Sequence, residues 1–168
     1  DITTKDIAQK AGVHEATLFR RLGSKKEIVR KGLQSKRWLP TLNTAIFENA
    51  TWDLETDLTR FMEEYYKRVT PEMVMMSIGL RSPQIYEETA PYILQVPQSF
   101  VQALQIYLET MKSKGKVTGN PHTLAMALFS STFGFVFLRA SFGNELSPLT
   151  QEDYIKGYIH TFVKGSQS

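Results

Sequence analysis

No cysteine occurs among the 168 residues, which excludes a disulfide framework, a thiolate zinc site and a cysteine nucleophile. Histidine is scarce, and His14, His122 and His160 stand too far apart for an HExxH helix or any other local ligand pair. Neither a metal nor any other cofactor is expected. The chain has no Gly-rich phosphate loop, internal repeat or low-complexity tract, and Gly115 and Gly119 read as loop punctuation. No Asn-Gly or Asp-Gly hairpin signal and no bounded alternating strand occurs, so β-structure has no support. Residues 1–15 are polar and mixed in charge, unlike a signal peptide. The longest apolar stretch, Leu124 to Phe142, has about membrane length but contains Arg139, which a spanning helix tolerates poorly. A helix buried within protein is expected there, with no membrane partner and a cytoplasmic location.

Charge is present but unevenly spread. Residues 1–38 hold ten Lys/Arg against four acids, a net +6, and the remainder carries −3. That asymmetry suits a small polyanion-binding head on a neutral-to-acidic body, or a merely solvated basic surface.

The periodicity is helical throughout. Thr3-Thr4-Lys5-Asp6 has the capping-box form, with Ile2 and Ile7 at staple positions, so a helix starts near Thr4 and ends at Gly12. Val13 follows as an apolar plug. A second helix fits His14 to Leu22 and closes at Gly23. Ser24-Lys25-Lys26-Glu27, a second capping box, opens a third helix to about Leu39, before Pro40. Further helices are expected near 41–49, 54–69, 72–80, 91–113, 121–142 and 151–164, the last behind the capping box Thr150-Gln151-Glu152-Asp153. Pro71, Pro91 and Pro121 sit at expected helix starts, where a missing amide costs nothing, and Pro97 is expected to kink its helix or delay its start. The fold class is all-α.

Two short helices joined at Gly12-Val13 form a helix-turn-helix candidate. Glu15, Ala16 and Thr17 are small or polar enough to enter a major groove, and Arg20 and Arg21, a turn further on, suit phosphates or a guanine edge. Lys25 and Lys26 occupy a helix first turn, where the macrodipole disfavours cations. Either an anion is their intended neighbour or both extend into solvent.

The run from Thr3 to Ile28 resembles the DNA-binding region of the TetR family of transcriptional regulators, through the shared capping Thr, the Ile-Ala pair, Ala11-Gly12-Val13, Thr17-Leu18 and Ser24-Lys25. It departs in His14, where the family has a capping Ser, in Phe19 for a phosphate-binding Tyr, and in Arg21 and Leu22 for a His and an aromatic. The resemblance implies DNA contacts from Thr3, Thr4, His14, Glu15, Ala16, Thr17, Phe19, Arg20, Arg21 and Lys25. It also implies a helix upstream of Thr3, so the chain is expected to begin inside the head and to bind an operator poorly as it stands.

The same resemblance implies a helix-turn-helix DNA-binding domain over 1–40 and a helical ligand-binding and dimerisation domain over 41–168. The implied partners are a double-stranded DNA operator, a small-molecule effector and a second copy in a homodimer. Ligand-lining candidates are Phe61, Met62, Tyr65, Tyr66, Met73, Met76, Ile78, Tyr86, Phe100, Ala103, Leu104 and Tyr107; a Met and aromatic stripe of this kind is more often plain core. Dimer-interface candidates are Leu124, Leu128, Phe129, Phe133, Phe137, Tyr154, Tyr158, Ile159 and Phe162. The expected function is a ligand-responsive regulator, a repressor released from its operator by a small molecule, and not an enzyme. The alternative is a small all-α enzyme or carrier with a basic N-terminal segment. Its best acid–base material is Glu63/Glu64 beside Tyr65/Tyr66, although adjacent helical residues point about 100° apart and do not converge on one substrate atom.

Overall fold

A computed structural model of the protein describes residues 3–34 and 44–167. Among them the chain is all-helical, without a strand: α1 (Thr4–Lys10), α2 (Glu15–Leu22), α3 (Lys25–Gln34), a 3-10 turn (Thr44–Phe47), α4 (Leu54–Arg68), α5 (Pro71–Gly79), α6 (Tyr86–Ser113), α7 (Pro121–Phe142) and α8 (Gln151–Ser166). Pro71 and Pro121 do open their helices. Pro91 does not. α6 starts at Tyr86, and Pro91 lies inside it, as does Pro97. Glu87 and Glu88 favour a helix N-terminus through the macrodipole, and each proline removes only one rung of a long ladder. The 41–49 helix is represented by the short 3-10 turn. The end of α3 near Leu39 and Pro40, the start of the 41–49 segment and the Ile2 staple lie outside the described residues.

Two compact units divide the chain within α6: Asp1–Leu39 with Leu80–Leu94, and Pro40–Gly79 with Gln95–Ser168. Residues 80–94 thus group with the N-terminal helices, although the sequence-based boundary counted them with the body. In this first unit Ala8, Leu18, Leu33 and Thr89 are buried. The Thr89 hydroxyl donates to the Leu80 carbonyl at 2.6 Å and lies within bonding distance of the Ile85 and Tyr86 carbonyls, closing the 80–89 turn on itself.

The second unit owns the main core. α4 buries Leu54, Leu58, Phe61, Met62, Tyr65 and Tyr66, and α6 buries Phe100, Leu104, Tyr107, Leu108 and Met111. These spacings of three and four form the apolar stripe of a core-facing helix. Ile155, Ile159 and Val163 supply the stripe of α8, capped by Thr150, whose side chain accepts from the Asp153 amide at 3.1 Å. α7 is long and apolar enough to cross a membrane by length and composition. It buries only Ala125, Leu128, Phe129, Thr132 and Val136, and leaves Met126, Leu138 and Phe142 exposed. Full burial of this helix, as read from its composition, is therefore not reached within one chain.

Candidate nucleic-acid interface

α1 is held by reciprocal capping. The Asp6 amide donates to the Thr3 hydroxyl oxygen at 3.2 Å and the Thr3 amide to the Asp6 carboxylate at 2.8 Å, and the Thr3 hydroxyl and amide hold the Asp6 carboxyl below its usual range. After Ala11 the chain reverses at Gly12, whose φ of +66° is a left-handed conformation natural to glycine. The Val13 amide then donates to the Ala8 carbonyl at 3.0 Å. Val13 is exposed, so the turn is closed by backbone bonds and not by the apolar plug read from the sequence.

His14 is the N-cap of α2 in extended conformation. Its carbonyl accepts from Thr17 and Leu18, but its side chain makes no capping bond. On α2 Leu18 is buried, Glu15, Thr17 and Leu22 are half-buried, and Ala16, Phe19, Arg20 and Arg21 are exposed. Burial at a single position leaves a wide outward surface on this helix. The hydroxyl of half-buried Thr4 donates to the Glu15 carboxylate, joining α1 to the start of α2. Two of the residues nominated to touch DNA are thus engaged with each other.

α3 begins behind Gly23, with φ +83° and ψ −142°. The Ser24–Glu27 capping box is realised, the Ser24 amide donating to Glu27 at 2.9 Å and the Glu27 amide to the Ser24 hydroxyl at 3.3 Å. Lys25 and Lys26 are both exposed but unequal. Lys26 pairs with Glu88 at 2.8 Å, which raises the Lys26 ammonium and lowers the Glu88 carboxyl from their ordinary values. Arg20, Arg21 and Lys25 have no carboxylate partner among the described residues. The pairing of Lys26 is not readable from the sequence, because Glu88 lies on a different helix far along the chain.

The other nominated sets separate by burial. Phe61, Met62, Tyr65, Tyr66, Phe100, Ala103, Leu104 and Tyr107 are core residues, Met73 is half-buried, and Met76, Ile78 and Tyr86 lie outside at 41–48% exposure. Two of the buried phenols are committed: Tyr66 donates to the Thr132 carbonyl at 3.0 Å and Tyr107 to the Asp57 carboxylate at 2.9 Å. A surface groove of about 600 Å³ runs between α4 and α8, lined by Glu55, Glu63, Lys67, Glu152 and Lys156 among others, with none of the nominated ligand-lining or dimer-interface residues. Glu64 is held by Lys67 at 2.8 Å and Arg68 at 3.4 Å, and burial pushes the Tyr65 and Tyr66 phenols above their ordinary range. The acid–base group of the alternative reading is therefore not brought together. Of the dimer set, Leu128, Phe129 and Ile159 are buried within the chain, whereas Leu124, Phe133, Phe137, Tyr154, Tyr158 and Phe162 are half-buried.

No protein-family model matches the chain. A Bacillus subtilis (strain 168) protein described as "Uncharacterized HTH-type transcriptional regulator YvkB" is 31% identical over 164 residues, covering 97% of this chain and 85% of that protein. A crystal structure described as that of a "putative TetR-family transcriptional regulator" from Rhodococcus sp. matches at a TM-score of 0.61 with 16% identity, over 99% of this chain and 88% of that one. With its helix-turn-helix sequence, its all-helical fold and these two likenesses, the chain belongs to the TetR family of helix-turn-helix transcriptional regulators.

Proposed function

We propose that the protein is a ligand-responsive repressor that binds a double-stranded DNA operator as a cytoplasmic homodimer and leaves it when a small molecule binds. The observation that carries the reading is the outward surface of α2: Arg20 and Arg21 exposed and, among the described residues, without carboxylate partners, beside exposed Ala16 and half-buried Thr17. In this reading residues 1–40 form the reading head and 41–168 the ligand-binding and dimerising body. The head inserts the N-terminal end of α2 into the major groove, where Ala16 and Thr17 are compact enough to approach base edges. Arg20, Arg21 and Lys25 neutralise phosphates, Thr3, His14 and Phe19 flank the groove, and the Thr4–Glu15 bond sets the angle between brace and reader.

The effector site belongs to the aromatic and Met-containing interior of the second unit, around Phe61, Met62, Phe100 and Leu104. Met is adaptable and aromatic walls suit an apolar ligand. Because the Tyr66 and Tyr107 hydroxyls already have partners, they hold the walls in place, and recognition falls to shape and apolar area. Ligand binding then favours a head spacing that misfits successive grooves, a population shift without chemistry.

The test is a binding series on genomic duplex fragments at rising salt. Selective retention of a few fragments with a steep fall in affinity supports the reading. Affinity independent of salt, or equal for every fragment, overturns it.

A further inference from the structure

The two lysines that open α3 have different surroundings. Lys25 is exposed and has no carboxylate partner among the described residues. Lys26, about 100° further round the helix, places its ammonium 2.8 Å from Glu88 Oε1. Glu88 stands in the first turn of α6, within the same compact unit as α3. Its neighbour Thr89 is fully buried and bonded to the Leu80 carbonyl, which fastens the turn that carries it. The second carboxylate oxygen, Oε2, is sealed from solvent and has no hydrogen-bond partner among the described residues. Were Lys26 to leave for a phosphate, Glu88, whose side chain is 30% exposed, would keep its charge partly solvated but would still hold one buried oxygen without a donor, which costs free energy.

We propose that Glu88 is a built-in counter-ion that withholds Lys26 from the DNA backbone, so that the first turn of α3 offers one phosphate-binding lysine, Lys25, in place of two. Glu88 is then a positioning residue that limits the sequence-independent part of the affinity, because every phosphate neutralised adds about 0.9 to the slope of log K against log salt for B-DNA. The inference rests on the duplex-binding reading above.

The test measures that slope on a short mixed-sequence duplex with the full chain. Glu88→Gln preserves size and removes the charge, so its slope should be steeper than that of the unmodified chain by about 0.9, and the double variant Glu88→Gln/Lys26→Ala should restore the original slope. An unchanged slope in a Glu88→Gln protein of normal helicity overturns the proposal. If Glu88→Gln does not fold, Lys26→Ala decides. A slope flattened as much as that of Lys25→Ala shows that Lys26 already binds phosphate and overturns the proposal, whereas an unchanged slope supports it. Failure of the unmodified chain to show any salt-dependent duplex binding is a different result, which removes the function proposed above and this inference with it.

Discussion

The phenol of Tyr107 on α6 donates to the fully buried carboxylate of Asp57 on α4 at 2.9 Å. The same carboxylate accepts from the Thr51 amide at 2.9 Å and hydroxyl at 3.0 Å, the Trp52 amide at 2.9 Å and Arg60 Nη2 at 3.2 Å. Five donors on two oxygens explain how an acid survives in this core. They also hold the backbone of Trp52 at a φ of +61°, an unfavourable conformation for a bulky residue, while the Lys116 ammonium donates to the Trp52 carbonyl. Burial and the adjacent Asp57 carboxylate push the Tyr107 phenol above its ordinary range, so it serves as a permanent donor.

Removing one donor and removing the acceptor should therefore differ. Tyr107→Phe is expected to lower unfolding stability by about 1.5–3 kcal/mol, the range for a hydrogen bond to a charged group. Asp57→Ala strands four partners and should lower it by roughly 3 kcal/mol or more. Urea unfolding followed by tryptophan fluorescence compares the two. Equal losses would mean that the carboxylate does not organise the cluster.

Two glycines in the head make a second comparison. Both have positive φ, +66° at Gly12 and +83° at Gly23, but a Cβ at Gly12 meets nothing within 4 Å, whereas at Gly23 it would lie 1.8 Å from the Glu27 carboxylate oxygen. Gly12→Ala should cost about 1 kcal/mol from backbone strain alone. Gly23→Ala adds loss of the Ser24–Glu27 capping box and should cost roughly 2–3 kcal/mol. Thermal melts of the two variants check the order, and a smaller loss at Gly23 would contradict it.

Local signals were the ones legible in the sequence. The pairs Thr3/Asp6, Ser24/Glu27 and Thr150/Asp153 lie three residues apart and each forms the bond their spacing suggests. The start of α6 was missed because Pro91 is the strongest local start signal, while the turn before it is closed by Thr89 reaching back to Leu80, a contact no periodicity encodes. In the candidate interface, the Arg-bearing outer side of α2 follows from a short helix with one buried leucine. The Thr4–Glu15 and Lys26–Glu88 pairs join residues from different helices, so residue type and local spacing could not show them. The aromatic stripe could not separate core from cavity, because that depends on where Tyr66 and Tyr107 send their hydroxyls.

Helix α4 provides a pH-dependent test. Asp53 caps it by accepting from the Thr56 amide at 2.8 Å, and the Thr56 side chain and amide hold its carboxyl below the ordinary value. A depressed carboxylate contributes stability that is present above its unfolded pKa of about 3.9 and is lost as pH falls through the lower folded value. Asp53→Asn retains a capping acceptor without the charge. Its stability should therefore fall less between pH 5 and pH 2 than that of the unmodified chain, measured by urea midpoints. Parallel curves would show that the cap does not depend on ionisation.

Arg20 and Arg21 distinguish phosphate contact from base reading. If both meet phosphates, each change to Ala should flatten the salt slope by about 0.9 and weaken all duplexes alike. If one reads a guanine edge, its removal should cost about 1–3 kcal/mol on the preferred fragment only and relax sequence preference at that position. Competition between preferred and random duplexes separates these results, and an unchanged affinity in both variants would exclude either arginine from the interface.

The open side of α7 bears on the proposed homodimer. Tyr154 and Tyr158 of α8 donate to the Ser131 and Ala127 carbonyls of α7 at 2.8 and 3.2 Å, and Phe135, Tyr154, Tyr158 and Phe162 follow one another with ring centroids 4.2–6.0 Å apart. These bonds bind the two helices into a single plate within unit two, yet Met126, Leu138 and Phe142 remain exposed on α7. A plate of this kind pairs readily with a second copy across a two-fold axis. Leu138 is 41% exposed, so Leu138→Arg should leave helicity intact while placing two like charges near the proposed axis. Light scattering should show a dimer for the unmodified chain and a monomer for the variant. Operator affinity should fall at least a hundredfold, because the second head loses the effective concentration that pairing provides. A variant that stays dimeric would place the interface elsewhere, and an unmodified chain that is monomeric at micromolar concentration would remove the homodimer from the proposed function.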